Sequence, residues 1–162
     1  MRSYRGKGGP QPHAGSCRVV PTGPVTACRK LLISSWLSAD RVFGHYAIRR
    51  YADVGVDATL FGDDWGEQSR MLISTDCWRA FFKPRYRRMF AAVQDGGALV
   101  YFHSDGWICD ILDDLLEFGV DILNPQHHVM GTAECGRRLA GRTCVRSDLD
   151  RQHVLPFARP RK

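Results

Sequence analysis

Leu99-Val100-Tyr101-Phe102-His103-Ser104-Asp105-Gly106 decides the fold of this chain. A short apolar run ends abruptly in a histidine, a serine and an acid. Such a run reads as a buried strand, because polar side chains are costly inside one and collect where it emerges. The same pattern occurs three more times. Ala58-Thr59-Leu60-Phe61 precedes Gly62-Asp63-Asp64-Trp65-Gly66, and Val120-Asp121-Ile122-Leu123 precedes Asn124-Pro125-Gln126-His127-His128. Thr143-Cys144-Val145 precedes Arg146-Ser147-Asp148-Leu149-Asp150. In parallel α/β proteins the C-terminal strand ends form the active-site mouth. Four such endings therefore predict a rim of functional groups.

Helical patterns lie around and between these strands. A first helix is expected from Ala39 to Asp53, with Val42, Phe43, Tyr46 and Ala47 on one face and Ser38 or Asp40 as cap. From Ser74 or Thr75, the residues Trp78, Phe81, Phe82, Tyr86, Met89, Phe90 and Val93 recur at helical spacing. Pro84 should kink or split that stretch near Lys83, and Gly96-Gly97 should end it. Ile108, Ile111, Leu112, Leu115 and Leu116 give a further amphipathic helix, with Gly119 placed for a left-handed cap. A short helix should run from Thr132 to Leu139 and stop at Gly141.

This alternation predicts an α/β protein with parallel strands and right-handed crossovers. No phosphate-binding glycine loop follows a strand, so a nucleotide-binding doubly wound sheet lacks its main signature. The alternative is part of a (β/α)8 barrel, a TIM-barrel arc of about four β/α units; a full barrel needs eight strands and about 250 residues. Four strands would leave two edges and an apolar inner face open. The isolated chain is then expected to aggregate, bind a hydrophobic dye, form a homo-oligomer or need the missing barrel half.

With 44% hydrophobic residues, the 162-residue chain can build one real core. Its net charge of +6 is unevenly placed. Arg2, Arg5, Lys7, Arg18, Arg29 and Lys30 lie in residues 1–30 without an acid, and Arg151, Arg159, Arg161 and Lys162 in 151–162 likewise. The stretch between is net acidic, which argues against a nucleic-acid partner. Residues 1–30, rich in Gly and Pro, read as a disordered or non-family basic tail, 31–157 as the barrel domain, and 158–162 as a basic C-terminal tail. None of the six cysteines forms a C-x-x-C pair, which reads as reduced thiols in a cytoplasmic protein. No run has the length of a membrane helix, so no membrane partner is expected.

Among the candidate site residues, the paired acids Asp63 and Asp64 could share a proton, bind a cation or stabilise positive charge, or one could cap the following turn. His103 could be a general acid/base or a metal ligand, with Asp105 orienting it or serving as second ligand. Adjacent His127 and His128 cannot both face one site from an extended chain. Arg146 either clamps a substrate carboxylate or pairs with a rim acid. Trp65, Gly66, Asn124, Gln126 and Asp148 complete the set as substrate-binding candidates on the same rim. Arg85, Arg87 and Arg88 read as a solvated helix face.

At these residues the chain resembles the uroporphyrinogen decarboxylase superfamily, which includes the cobalamin-related methyltransferases acting on thiols. The stretches that carry the resemblance are residues 56–74 (VDATLFGDDWGEQSRMLIS), 81–93 (FFKPRYRRMFAAV), 98–107 (ALVYFHSDGW), 115–126 (LLEFGVDILNPQ) and 146–157 (RSDLDRQHVLPF). The resemblance implies a (β/α)8 barrel in longer chains, of which this sequence matches a C-terminal portion. It implies loss of CO2, without a cofactor, from acetate groups of a tetrapyrrole-like carboxylated substrate. Asp63 or Asp64 would then stabilise a protonated pyrrole, His103 with Asp105 would handle protons, and Arg146 would hold a carboxylate. Alternatively it implies zinc-dependent methyl transfer. There a His-x-Cys pair and a later Cys bind the metal, and this chain has His103 and Asp105 at the pair without the later Cys. A truncated, inactive product is the third implication.

Overall fold

The computed structural model describes residues 31–34, 50 and 53–159. The helix expected over Ala39–Asp53 and the basic tail over 1–30 lie essentially outside these residues, as does the chain beyond 159.

Five strands occur among the described residues: β1 Leu31–Ser34, β2 Ala58–Gly62, β3 Leu99–Ser104, β4 Ile122–Pro125 and β5 Cys144–Val145. They lie side by side in the order β1-β2-β3-β4-β5, and every pairing is parallel. The four expected strands are thus present, and β1 adds one that the sequence reading did not assign. Between β2 and β3 run α1 (Thr75–Phe81) and α2 (Lys83–Asp95). Between β3 and β4 a 3-10 turn, Cys109–Ile111, leads into α3 (Leu112–Glu117). Between β4 and β5 lie α4 (His127–Met130) and α5 (Thr132–Leu139).

Strand order distinguishes two families of parallel sheet. In a doubly wound sheet the order reverses at a switch point, where ligands bind. Here each strand is added beyond the last. With right-handed crossovers this winding puts every connecting helix on one face and leaves the other as an inner wall. The fold is therefore an α/β arc of the (β/α)-barrel type, and among the described residues the arc is open.

Helix boundaries follow local chemistry. The Ser74 hydroxyl accepts the Cys77 N–H at 3.2 Å and caps α1. Pro84 sits in the first turn of α2, where its missing N–H costs nothing, so the long helical stretch splits at Phe82 instead of kinking. Gly119 adopts φ +74° after α3, the left-handed cap its position predicted. The helix expected from Ile108 starts instead as a 3-10 turn. The one-turn helix α4 falls where the sequence reading had extended chain.

The core lies between the sheet and the helices. Val100, Phe102 and Ser104 are fully buried on the helix-facing side of β3. Phe102 packs against Tyr86 and Phe90, and Phe61 of β2 meets Phe90 at 4.9 Å. Ile108, Ile111, Leu112 and Leu115 are all fully buried, as their spacing requires. The buried Asp114 of α3 accepts from Arg79 Nε at 3.0 Å and Lys83 Nζ at 2.5 Å, joining α3 to α1 and α2. No helix among the described residues is long and apolar enough to cross a membrane.

Candidate functional site at the strand ends

Alternation along β2 and β3 sorts the rim residues. Phe61 points to the helices, so Asp63, two residues on, points the same way, and Asp64 turns to the inner wall. On β3, Phe102 and Ser104 face the helices, while Tyr101, His103 and Asp105 face inward. The parallel register sets Gly62 against His103, so Asp64 and Asp105 both lie two residues beyond one level.

Asp64, His103 and Asp105 are brought together by this arrangement. The His103 Nε2 lies 3.8 Å from an oxygen of Asp64 and 3.8 Å from one of Asp105. One donor atom from each of the three lies within 4.8 Å of the others. The Asp105 N–H donates to Asp64 Oδ1 at 3.0 Å, which fixes the two loops relative to each other. Arg151, from the segment after β5, donates Nη2 to both oxygens of Asp105 at 2.8 and 2.7 Å.

Asn124 of β4 stands behind the histidine. Its side-chain oxygen lies 2.8 Å from His103 Nδ1, and its backbone oxygen lies 3.1 Å from the same atom. Its amide Nδ2 donates to the Arg146 carbonyl at 2.9 Å and to Asp148 Oδ2 at 3.0 Å. Asn124 and Asp148, substrate-binding candidates by sequence, are thus bonded to each other, and Asn124 also to His103 and Arg146.

The remaining candidates also have structural partners. Asp63 accepts a hydrogen bond from the Tyr86 hydroxyl at 2.7 Å beneath the rim. Burial raises its pKa above the usual carboxylate value, opposed by that hydrogen bond and reinforced by Asp64. A carboxyl raised in this way contributes most below its unfolded pKa, and the contribution is lost as pH rises through the folded value. Trp65 does not reach the inner wall. Its Nε1 donates to Tyr86 Oη at 2.9 Å, and its ring packs on Phe82 at 4.5 Å. Tyr86→Phe strips both partners at once, and leaving such groups unpaired costs about 2 kcal/mol. Urea unfolding should register that loss, and an unchanged midpoint would refute the role given to this hydroxyl.

Gly66 is a packing residue, since a Cβ there would lie 2.2 Å from Trp107 N. The Gln126 side-chain oxygen accepts the Gly106 N–H at 2.8 Å, tying the β4 loop to the β3 loop. Arg146 donates to the Tyr101 hydroxyl at 2.6 Å on the inner wall, and the charge of Asp148 also acts on it. His127 and His128 lie in α4, not in extended chain, and their rings meet at 3.8 Å. Burial, and then the charge of His128, hold the His127 pKa below its ordinary value. His128 Nε2 contacts the Asp148 carbonyl at 3.0 Å. Arg151 is the site residue that sequence reasoning missed. It lies 46 positions from Asp105, in a stretch that carried part of the resemblance and basic charge but no assigned role.

Strand order and the inward residues define an α/β barrel-type arc with an acid–histidine cluster at its mouth. Among solved structures, a methyltransferase from Methanosarcina mazei is similar to it, with TM-score 0.54 and 21% identity. The match covers 69% of this chain and 33% of that chain, so the chain spans about a third of that protein. At this identity the likeness speaks for the fold. No family model matches the chain, and no curated protein matches it.

Proposed function

We propose that the chain is the metal-holding part of a barrel of the uroporphyrinogen decarboxylase superfamily, and that its activity is zinc-dependent methyl transfer to a thiol. The observation that carries this reading is the trio Asp64, His103 and Asp105. Catalytic zinc takes three protein ligands and keeps one position open. The sequence reading named His103 and Asp105 as ligands, and the nearness of Asp64 to both supports it as a third. The donor set is chemically apt: one imidazole nitrogen and two carboxylates. Ligands about 2.0–2.1 Å from a tetrahedral zinc stand roughly 3.3 Å apart, so the two 3.8 Å separations from His103 need a closure of about half an ångström, and the two carboxylates, within 4.8 Å, would also draw together. When bound, the metal would lower the pKa of a thiol or water in the open position. The side chains hold the ion, and Arg151 restrains Asp105.

Two features outside the trio bear on this reading. Arg151 competes with a cation for Asp105. The two positive charges repel across Asp105, an effect that solvent and salt screen to about tenfold in affinity at most. The open arc would be completed by further barrel wall, from a second copy or another chain. The resemblance also offers decarboxylation of a carboxylated substrate. The same mouth would serve it without metal, with Asp64, His103 and Asp105 on the inner wall, while Asp63 and Arg146 are bonded to Tyr86 and Tyr101.

Equilibrium dialysis of the chelator-treated protein against zinc tests the proposal. One zinc per chain is expected, with Arg151→Gln binding up to about tenfold more tightly. Absence of stoichiometric binding in both proteins would overturn the metal reading.

A further inference from the structure

Asn124 is buried, and every polar atom of its side chain has a partner. The direction of those bonds is fixed by chemistry. The Arg146 carbonyl and the Asp148 carboxylate can only accept, so the two amide hydrogens must face them. The amide oxygen must therefore face His103. The Nδ1 of that ring then meets two acceptors, the Asn124 side-chain oxygen at 2.8 Å and its backbone oxygen at 3.1 Å. An unprotonated Nδ1 would set lone pair against lone pair twice.

We infer that Asn124 is a positioning residue that holds neutral His103 in the Nδ1–H tautomer, leaving a bare Nε2 aimed between Asp64 and Asp105. Neutral histidine free in water favours the opposite, Nε2–H form, which cannot ligate through Nε2. The protein thus prepares the nitrogen before any ligand arrives, as a second ring nitrogen bonded to an acceptor does at metal sites. The orientation of the amide depends on the chain after β5, because both acceptors belong to Arg146 and Asp148. That segment therefore governs the histidine through Asn124.

This inference rests on the metal reading for its purpose, but its test is run on metal-free protein, so either can fail alone. Long-range proton–nitrogen correlation spectra of 15N-labelled protein at pH 9, with chelator, report the tautomer of His103. The expected spectrum has a pyrrole-type Nδ1 and a pyridine-type Nε2. A majority Nε2–H signal would overturn the inference. Asn124→Leu, which removes the side-chain acceptor for Nδ1, should move the population toward Nε2–H. An unchanged spectrum in Asn124→Leu would give the role to the backbone carbonyl alone and overturn the side-chain assignment. If the leucine variant fails to fold, the wild-type spectrum still decides. In a separate zinc titration, Asn124→Leu should bind about 10–100-fold more weakly than wild type.

Discussion

Gly106→Ala should destabilise the protein by about 3 kcal/mol, the largest stability effect expected of any single added methyl group here. Two independent costs contribute. Gly106 sits at φ +76°, where an L-residue is penalised by about 1–2 kcal/mol. A Cβ there would also lie 2.0 Å from the Gly66 carbonyl oxygen and 2.7 Å from that of Glu67. Both obstacles are backbone, which cannot rotate aside, and such overpacking costs about 1–3 kcal/mol. The reason is local: the loops after β2 and β3 pass in direct contact, and the Trp107 N–H donates to the Glu67 carbonyl at 2.7 Å. Those loops carry Asp64 and Asp105. The control is Gly136 in α5, where an added Cβ meets nothing within 4 Å. Gly136→Ala should be neutral or stabilising by up to about 1 kcal/mol. Thermal and urea unfolding of the two variants should diverge in sign. Equal midpoints would mean that the two loops do not touch as described.

His103→Ala should lower zinc affinity at least about 100-fold, the upper end of what loss of a mere supporting partner costs. The expectation follows from placement. His103 contributes the sole nitrogen donor of the trio, and its Nε2 lies between two carboxylates. Without it, Asp64 and Asp105 remain as like charges around an empty centre, with Arg151 free to neutralise one of them. Asp64→Asn should also weaken binding, since Asp64 is the proposed third ligand. Asp63→Asn should leave affinity nearly unchanged, because that carboxylate is turned to Tyr86. Calorimetric titration of folded variants reads all three. Zinc affinity that follows Asp63 instead of Asp64 would reverse the facing of this loop.

Much of the arc was readable from the chain because its signals are local. The apolar runs of β2 to β4 announce burial, Pro84 divides a helix wherever it falls, and Thr132 to Leu139 is bounded by glycines on both sides; in β5 the run forms a strand, but Cys144 and Val145 are both exposed. β1 escaped because Leu31-Leu32-Ile33 is a short run beside a basic Gly/Pro stretch, and only its partner, β2, makes it a strand. α4 escaped because a single turn leaves no period to detect.

The site divides in the same way. His103 and Asp105 were legible as a strand ending, and the meeting with Asp64 follows from parallel register. The choice between Asp63 and Asp64 had an unused signal: Phe61 belongs to the apolar face, so Asp63 shares it. The partners of Arg146 and Arg151 lie 45 and 46 residues away. Nothing local in the sequence encodes such contacts: Arg146 had been read toward a substrate or a rim acid, and Arg151 had no assigned role.

X-ray absorption at the zinc edge tests the central claim most directly, because it identifies ligand atoms in the loaded protein. The account predicts a shell of nitrogen and oxygen at about 2.0–2.2 Å with the outer scattering of one imidazole, lost in His103→Ala. A sulfur shell at about 2.3 Å, or failure to retain zinc at all, would contradict it.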